Sequence, residues 1–259
     1  DDPEGEGKYN TYTGYTGGHS DIWRNQTRSK TGLPSYAGAD IPGDNYAAVC
    51  ASGVDDSPRS REGFANLLAI DAAGFMGIAQ RLFYTEAKRK GNTEEAKNWK
   101  EQWEKTRTLV NQELWNEEKG FYFDKNFVTN RQINVMDLAA FIIPLAGFDS
   151  DKDLDAQLND PSLEPSDKLR TMMGNVHKFI LPYGVAVTTG EEGKIPEKPE
   201  QWAYPNDWSS RTGFLIKLAM MYPEFYPVVK EILTRQLIAD SEYYDDAKTF
   251  AEAINGETG

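Results

Sequence analysis

The chain has little of what marks redox, metal or nucleotide chemistry. A single cysteine, Cys50, stands in 259 residues. That excludes an internal disulfide and leaves the redox compartment open. There are two histidines, His19 and His177. Both read as local hydrogen-bonding groups rather than catalysts, and no His/Cys spacing suits a metal. Positive charge is scarce: 28 Lys and Arg face 41 Asp and Glu, a formal net charge of −13. A nucleic-acid partner needs a basic footprint, and an anionic membrane surface repels such a chain. No run approaches the roughly 18 apolar residues of a membrane helix. No Gly-rich phosphate loop or nucleophile elbow occurs. The opening Asp1-Asp2-Pro3-Glu4-Gly5 does not read as a signal peptide.

What the chain does have is aromatic and acidic loops set beside helices. Aromatics make up 12% of it, with six Trp and 13 Tyr. Flat amphipathic rings suit ordinary packing, and they equally suit the faces of sugar rings. Residues 1–50 form a Gly- and Tyr-rich lead-in with little helical periodicity, longer than an ordinary connection. Cys50-Ala51-Ser52-Gly53-Val54-Asp55-Asp56-Ser57-Pro58-Arg59 then gathers two acids, a glycine and an arginine in one loop. One reading is the cap of the following helix, since Asp and Ser favour that position. The other is a carboxylate held at the lip of a pocket with a guanidinium beside it.

Helical pattern runs from Glu62 to Lys90, where Phe64, Leu67, Leu68, Phe75, Ile78 and Leu82 mark one apolar face. Asp71 falls on that face and needs a partner there. Gly91-Asn92 ends the helix, and Asn92 to Glu95 has the form of a capping box. The next helix carries Trp99, Trp103, Thr106, Val110 and Leu114 on one side, completing a helical hairpin. Gly120 suits a turn, and Phe121-Tyr122-Phe123 an extended piece. Helix resumes at Met136-Asp137-Leu138 and runs to Gly147. Asp149 to Asp153 lacks the Gly and Glu of a calcium loop and reads as a solvated capping run. Leu169 to Val176 is helical. The polar-aromatic loop Gln201 to Trp208 precedes a helix striped by Phe214, Leu215, Leu218 and Met221. A last amphipathic helix spans Pro223 to Asp240. Three decorated loops beside helical hairpins predict an all-α assembly whose loops converge on one site.

Several of these stretches, in this order, resemble the clan of inverting α-glycosidases that contains trehalases and family-63 glucosidases. Ser52-Gly53-Val54-Asp55 is similar to its acid-bearing loop, and Arg59 to the trehalase arginine that follows. Trp115 to Asp124 resembles the clan's Trp-Asx-x-x-x-Gly-x-Tyr-x-Asp. Ile143 to Gly147 resembles Pro-Leu-x-Ala-Gly, and Pro182 to Val185 resembles x-Tyr-Gly-Leu/Val. Trp202 to Trp208 resembles the trehalase loop Gln-Trp-Asp-x-Pro-Asn-Gly-Trp. Phe250-Ala251-Glu252, with Asn255 and Thr258-Gly259, resembles the family-63 loop that carries the general base. Ala51, Ala203 and Ile254 replace a Glu, an Asp and a Tyr of those patterns. They separate the chain from a strict trehalase.

The resemblance implies an (α/α)6 toroid, of which residues 1–259 would be a partial catalytic domain. Residues 51–259 would supply its helical hairpins and active-site loops. It implies Asp55 as general acid and Glu252 as general base, with no cofactor and no metal. Asp56 would help Asp55 keep its proton. Arg59, Trp202, Tyr204, Asn206 and Trp208 become candidates for contacts with a carbohydrate substrate. The alternative is a carbohydrate-binding or degenerate helical protein without catalysis.

Overall fold

The computed structural model describes residues 57–59, 67–159, 164–190, 202–247 and 254–256. Its helices are α1 (Ile70–Arg89), α2 (Thr93–Glu113), α3 (Ile142–Leu145), α4 (Leu154–Asn159), α5 (Asp167–Gly174), α6 (Ser209–Met221) and α7 (Tyr226–Ala247). A 3-10 turn, Leu138–Phe141, runs directly into α3. Two-residue strands occupy the connections: β1 (Leu67–Leu68), β2 (Trp115–Asn116), β3 (Phe121–Tyr122), β4 (Lys125–Asn126), β5 (Arg131–Gln132), β6 (Ile180–Leu181), β7 (Gly184–Val185), β8 (Asn206–Asp207) and β9 (Ile254–Asn255). All their pairings are antiparallel.

The helices alternate between two rows. In the first row α3 stands between α1 and α6 and touches both, while α2 backs α1 and α7 backs α6. Each connection leading into a first-row helix therefore opens at the same end. The described residues of those connections are 57–59 with 67–69, 114–137, and 176–190 with 202–208.

The hairpin α1/α2 forms as its sequence dictates. Asn92 caps α2 by accepting from Glu95 N at 3.2 Å, and its side-chain amide returns a bond to the Glu95 carboxylate at 2.9 Å. Trp103, Val110 and Leu114 are fully buried, and the Trp103 indole N–H donates to Ala146 O at 3.0 Å.

The first row departs from the expected pattern. Helix α1 begins at Ile70, because Leu67 and Leu68 are drawn into pairing with Asn126 and Lys125. Its stripe of large apolar residues is not its buried face: Phe75 is 51% and Leu82 64% exposed. The buried face is Ala73, Gly74, Gly77, Gln80 and Tyr84. Small residues let the backbones of α1 and α3 approach closely. A Cβ on Gly74 would overlap Ile142, and one on Gly77 would overlap the Phe148 ring. Asp137 is not helical; it caps the 3-10 turn by accepting from Ala139 N at 2.7 Å. Asp149 is buried, not solvated, and burial pushes its carboxyl up to about 6 against the Ser166 hydroxyl that donates to it.

Candidate active site

The open end of the first row carries a buried charge cluster. Arg59 is fully buried. Its Nη1 and Nη2 donate to the two oxygens of Asp71 at 3.0 Å each. Its Nε and Nη2 donate to Asp124 at 2.5 and 3.0 Å. Asp137 Oδ2 lies 3.6 Å from Nη1, and it has no hydrogen-bond partner among the described residues. A second guanidinium, Arg211, reaches within 3.9 Å of Asp71. Burial alone would lower the pKa of Arg59, but Asp124, Asp71 and Asp137 outweigh it and hold the guanidinium well above its ordinary value. Burial likewise raises Asp124, and Arg59 opposes that rise.

Two acids of the cluster come from the 114–137 connection and the third from the first turn of α1. Asp71 opens α1, Asp124 follows β3 and caps Ile70 N at 2.9 Å, and Asp137 opens the turn into α3. Arg59 therefore ties residues 57–59 to the starts of two first-row helices. Bidentate guanidinium geometry suits this task, because two planar forks fix both distance and angle.

From Asp137 the contacts continue without a break. Asp137 bridges Thr188, Leu138 N donates to Val187 O at 2.8 Å, and Val187 N donates to Asn206 O at 3.0 Å. Tyr204 N donates to Thr188 Oγ1 at 3.0 Å. Strand β8 then pairs with β9, placing Asn206 opposite Asn255 and Asp207 opposite Ile254. Gly256 closes the join, its N–H donating to Pro205 O and its carbonyl accepting from Tyr183 N, both at 2.9 Å. The Tyr183-Gly184 turn, the Trp202–Trp208 loop and residues 254–256 thus form one rim, continuous with the Arg59 cluster. Asp207 is buried behind that rim and accepts from Val185 N at 3.1 Å. A Cβ on Gly184 would overlap the Asp207 carboxylate. Burial pushes Asp207 up to about 7; the Val185 N–H opposes this, and the charge of Asp240 adds to it.

The aromatic residues of the rim divide in their exposure. Trp202 and Trp208 stack with centroids 3.9 Å apart and planes inclined by 13°. Trp208 is buried, whereas Trp202, Tyr204 and Asn206 are half-buried. The Arg211 guanidinium lies 5.4 Å from the Trp202 ring centre and 6.0 Å from that of Phe214.

Of the residues singled out from sequence, Arg59, Trp202, Tyr204, Asn206 and Trp208 fall on this one continuous network. Arg59 directs its donors at carboxylates inside the protein. Asp55, Asp56 and Glu252 lie outside the described residues. Asp124, Asp137, Asp207 and Arg211 were missed as members of the site. For Asp137, Asp207 and Arg211 the signal was an acid or base immediately before or inside the first turn of a first-row element, which also fits a simple cap; Asp124 had only its place at the end of the Trp115 to Asp124 stretch. Among the described residues no group of His, Cys, Asp or Glu is arranged to hold a metal ion.

A family model described as trehalase matches residues 46–256. Among solved structures, neutral trehalase from Saccharomyces cerevisiae is similar, with a TM-score of 0.73 at 16% identity. That match covers 88% of this chain and 49% of the yeast protein. A GH63 mannosylglycerate hydrolase from Thermus thermophilus, in complex with glucose, aligns with a TM-score of 0.54 at 13% identity. It covers 93% of this chain and 56% of that one. The chain thus spans about half the length of these structures. No curated protein sequence matches it. The architecture is that of the (α/α)6 toroid, and the two rows of helices are its inner and outer layers.

Proposed function

The chain belongs to the trehalase family, and on that premise we propose that it forms part of the catalytic domain of an inverting glycoside hydrolase that cleaves an α-glucoside of a di- or oligosaccharide. Asp55 is the general acid and Glu252 the general base. The observation that carries this reading is the pairing of β8 with β9. Residue 254, two beyond Glu252, is hydrogen-bonded into the loop that bears Trp202, and that loop joins the cluster anchored by Arg59, four residues beyond Asp55.

Inversion needs one protonated carboxyl and one carboxylate about 6.5–9.5 Å apart, with a water between the base and the sugar. Glu252 takes a proton from that water as its oxygen bonds to the anomeric carbon from the face opposite the leaving group. The glycosidic C–O bond breaks at the same centre, and Asp55 passes its proton to the departing oxygen. Trp202 offers the sugar an apolar face, with Trp208 stacked behind it. Tyr204 and Asn206 supply hydroxyl and amide groups at the rim. Arg59 serves the reaction by holding the acid loop, because its donors are committed to Asp71 and Asp124. One structural neighbour was solved in complex with glucose, which supports a hexose as the ligand.

The test separates the two carboxylates by leaving-group demand. In the full-length protein, Asp55→Asn should abolish hydrolysis of an unactivated α-glucoside and spare α-glucosyl fluoride, whose departure needs little protonation. Glu252→Gln should suppress both. Equal loss of both substrates in Asp55→Asn, with fluoride hydrolysis kept in Glu252→Gln, would exchange the roles. Sugar binding without turnover in the unmodified protein would favour the non-catalytic alternative.

A further inference from the structure

A broad groove leaves the site along the β2–β3 hairpin. Its volume is about 900 Å³, near the top of the roughly 300–1,000 Å³ range that holds a drug-sized ligand. Met136 and Thr189 mark its inner end. They are the chain neighbours of the bridged pair Asp137 and Thr188, and Thr189 N donates to Met136 O at 3.1 Å. Gly190 also lines the groove, and a Cβ there would sit 3.2 Å from the Tyr204 ring. The groove therefore begins one residue from the core of the candidate site.

Outward, the lining is polar and nearly balanced in charge, with Glu117 and Glu118 against Lys119 and Lys178. Neither sign dominates, which disfavours an anionic or cationic polymer. Asn134, Asn175 and Thr171 add groups that can donate and accept, the pairing pattern of a sugar hydroxyl. The walls are built in advance. The Asn175 amide donates to Lys119 O at 3.2 Å and Gly120 O at 3.4 Å, fastening the hairpin to α5. The Lys119 ammonium donates to the Asn134 side chain in the groove lining. A preformed polar trough binds without first ordering its own residues.

We propose that this groove is an extended subsite for the leaving-group side of a neutral oligosaccharide, so that the preferred substrate has three or more sugar units rather than two. The inference rests on the glycosidase reading. In that reading the sugar being cut lies between the carboxylates, and the remainder of the chain must find its way outward.

The experiment compares maltose, maltotriose, maltotetraose and maltopentaose on the full-length protein. A companion variant, Thr171→Trp, fills the groove from an exposed position on α5, outside the candidate site. In the unmodified protein kcat/KM should rise about tenfold from maltose to maltotetraose, the effect of one or two net hydrogen bonds. Thr171→Trp should flatten that rise while keeping maltose turnover. A flat profile in the unmodified protein, or an undiminished rise in Thr171→Trp, overturns the subsite. Absence of hydrolysis at every length, with trehalose and α-glucosyl fluoride also left intact, would overturn the enzymatic reading instead. Calorimetric affinities of the same series then judge the groove alone: tighter binding of longer chains, lost in Thr171→Trp, supports it, and equal affinities reject it.

Discussion

Arg59 is the residue on which most of the described site depends. Its side chain is the cation that faces Asp71, Asp124 and Asp137 together. Removing one partner of a buried ion pair leaves uncompensated charge and costs about 3–5 kcal/mol. Arg59→Met should therefore lower unfolding free energy by about that amount, read from urea denaturation. Adding Asp124→Asn should recover part of the loss, because it removes one of the stranded charges. A double variant as destabilised as the sum of the singles would show that the pair is not coupled. Asp207 gives a pH test of the opposite kind. Its folded carboxyl is raised to about 7. The folded state therefore holds this proton more tightly than the unfolded state does. Its contribution is fully present below the unfolded pKa near 4 and is lost as pH rises through about 7. Asp207→Asn should match the unmodified protein near pH 4 and exceed it in stability at pH 8, by at most about 4 kcal/mol. Asp149 adds a similar slope in both proteins, so the difference between them isolates Asp207. Equal stability at pH 8 would mean that Asp207 ionises without penalty.

Among the elements, α1 shows what its sequence revealed and what it concealed. Periodicity located the helix, Gly91-Asn92 its end and Asn92 to Glu95 the cap of α2, because these signals are local. The start was misplaced, since Leu67-Leu68 is equally fit for helix and strand and the decision lies with Lys125-Asn126 far along the chain. The buried face was misassigned for a related reason. Large apolar residues mark a helix surface, but close packing between α1 and α3 selects Gly74 and Gly77 instead. Gly77→Ala should test this contact. In an open helix Ala gains up to about 1 kcal/mol over Gly. Here the added methyl must displace Phe148, and overpacking costs about 1–3 kcal/mol. A fall in Tm is expected; a rise would mean that the Phe148 ring yields freely. The site divides the same way. Trp202 to Trp208 could be read as a loop from its composition, and Arg59 from its motif. Asp124 and Asp137 could not be recognised as partners of Arg59, because sequence carries no record of which acids the folded connections bring together.

For the whole molecule, the account rests on topology. Every connection that enters a first-row helix opens at one end, and the ion pair of Arg59 with Asp137, followed by the hydrogen bonds through Thr188 and Asn206 to Asn255, joins those connections into one surface. A toroid built this way can gather groups from loops distant in sequence, and the proposed acid and base carboxylates predict a single displacement at one face of the sugar. The stereochemistry of the product is its direct record. Proton NMR should follow hydrolysis of an α-glucoside by the full-length protein before mutarotation, and the β-anomer of glucose should accumulate first. Initial release of the α-anomer would contradict a mechanism in which Glu252 directs water against the bond that Asp55 protonates.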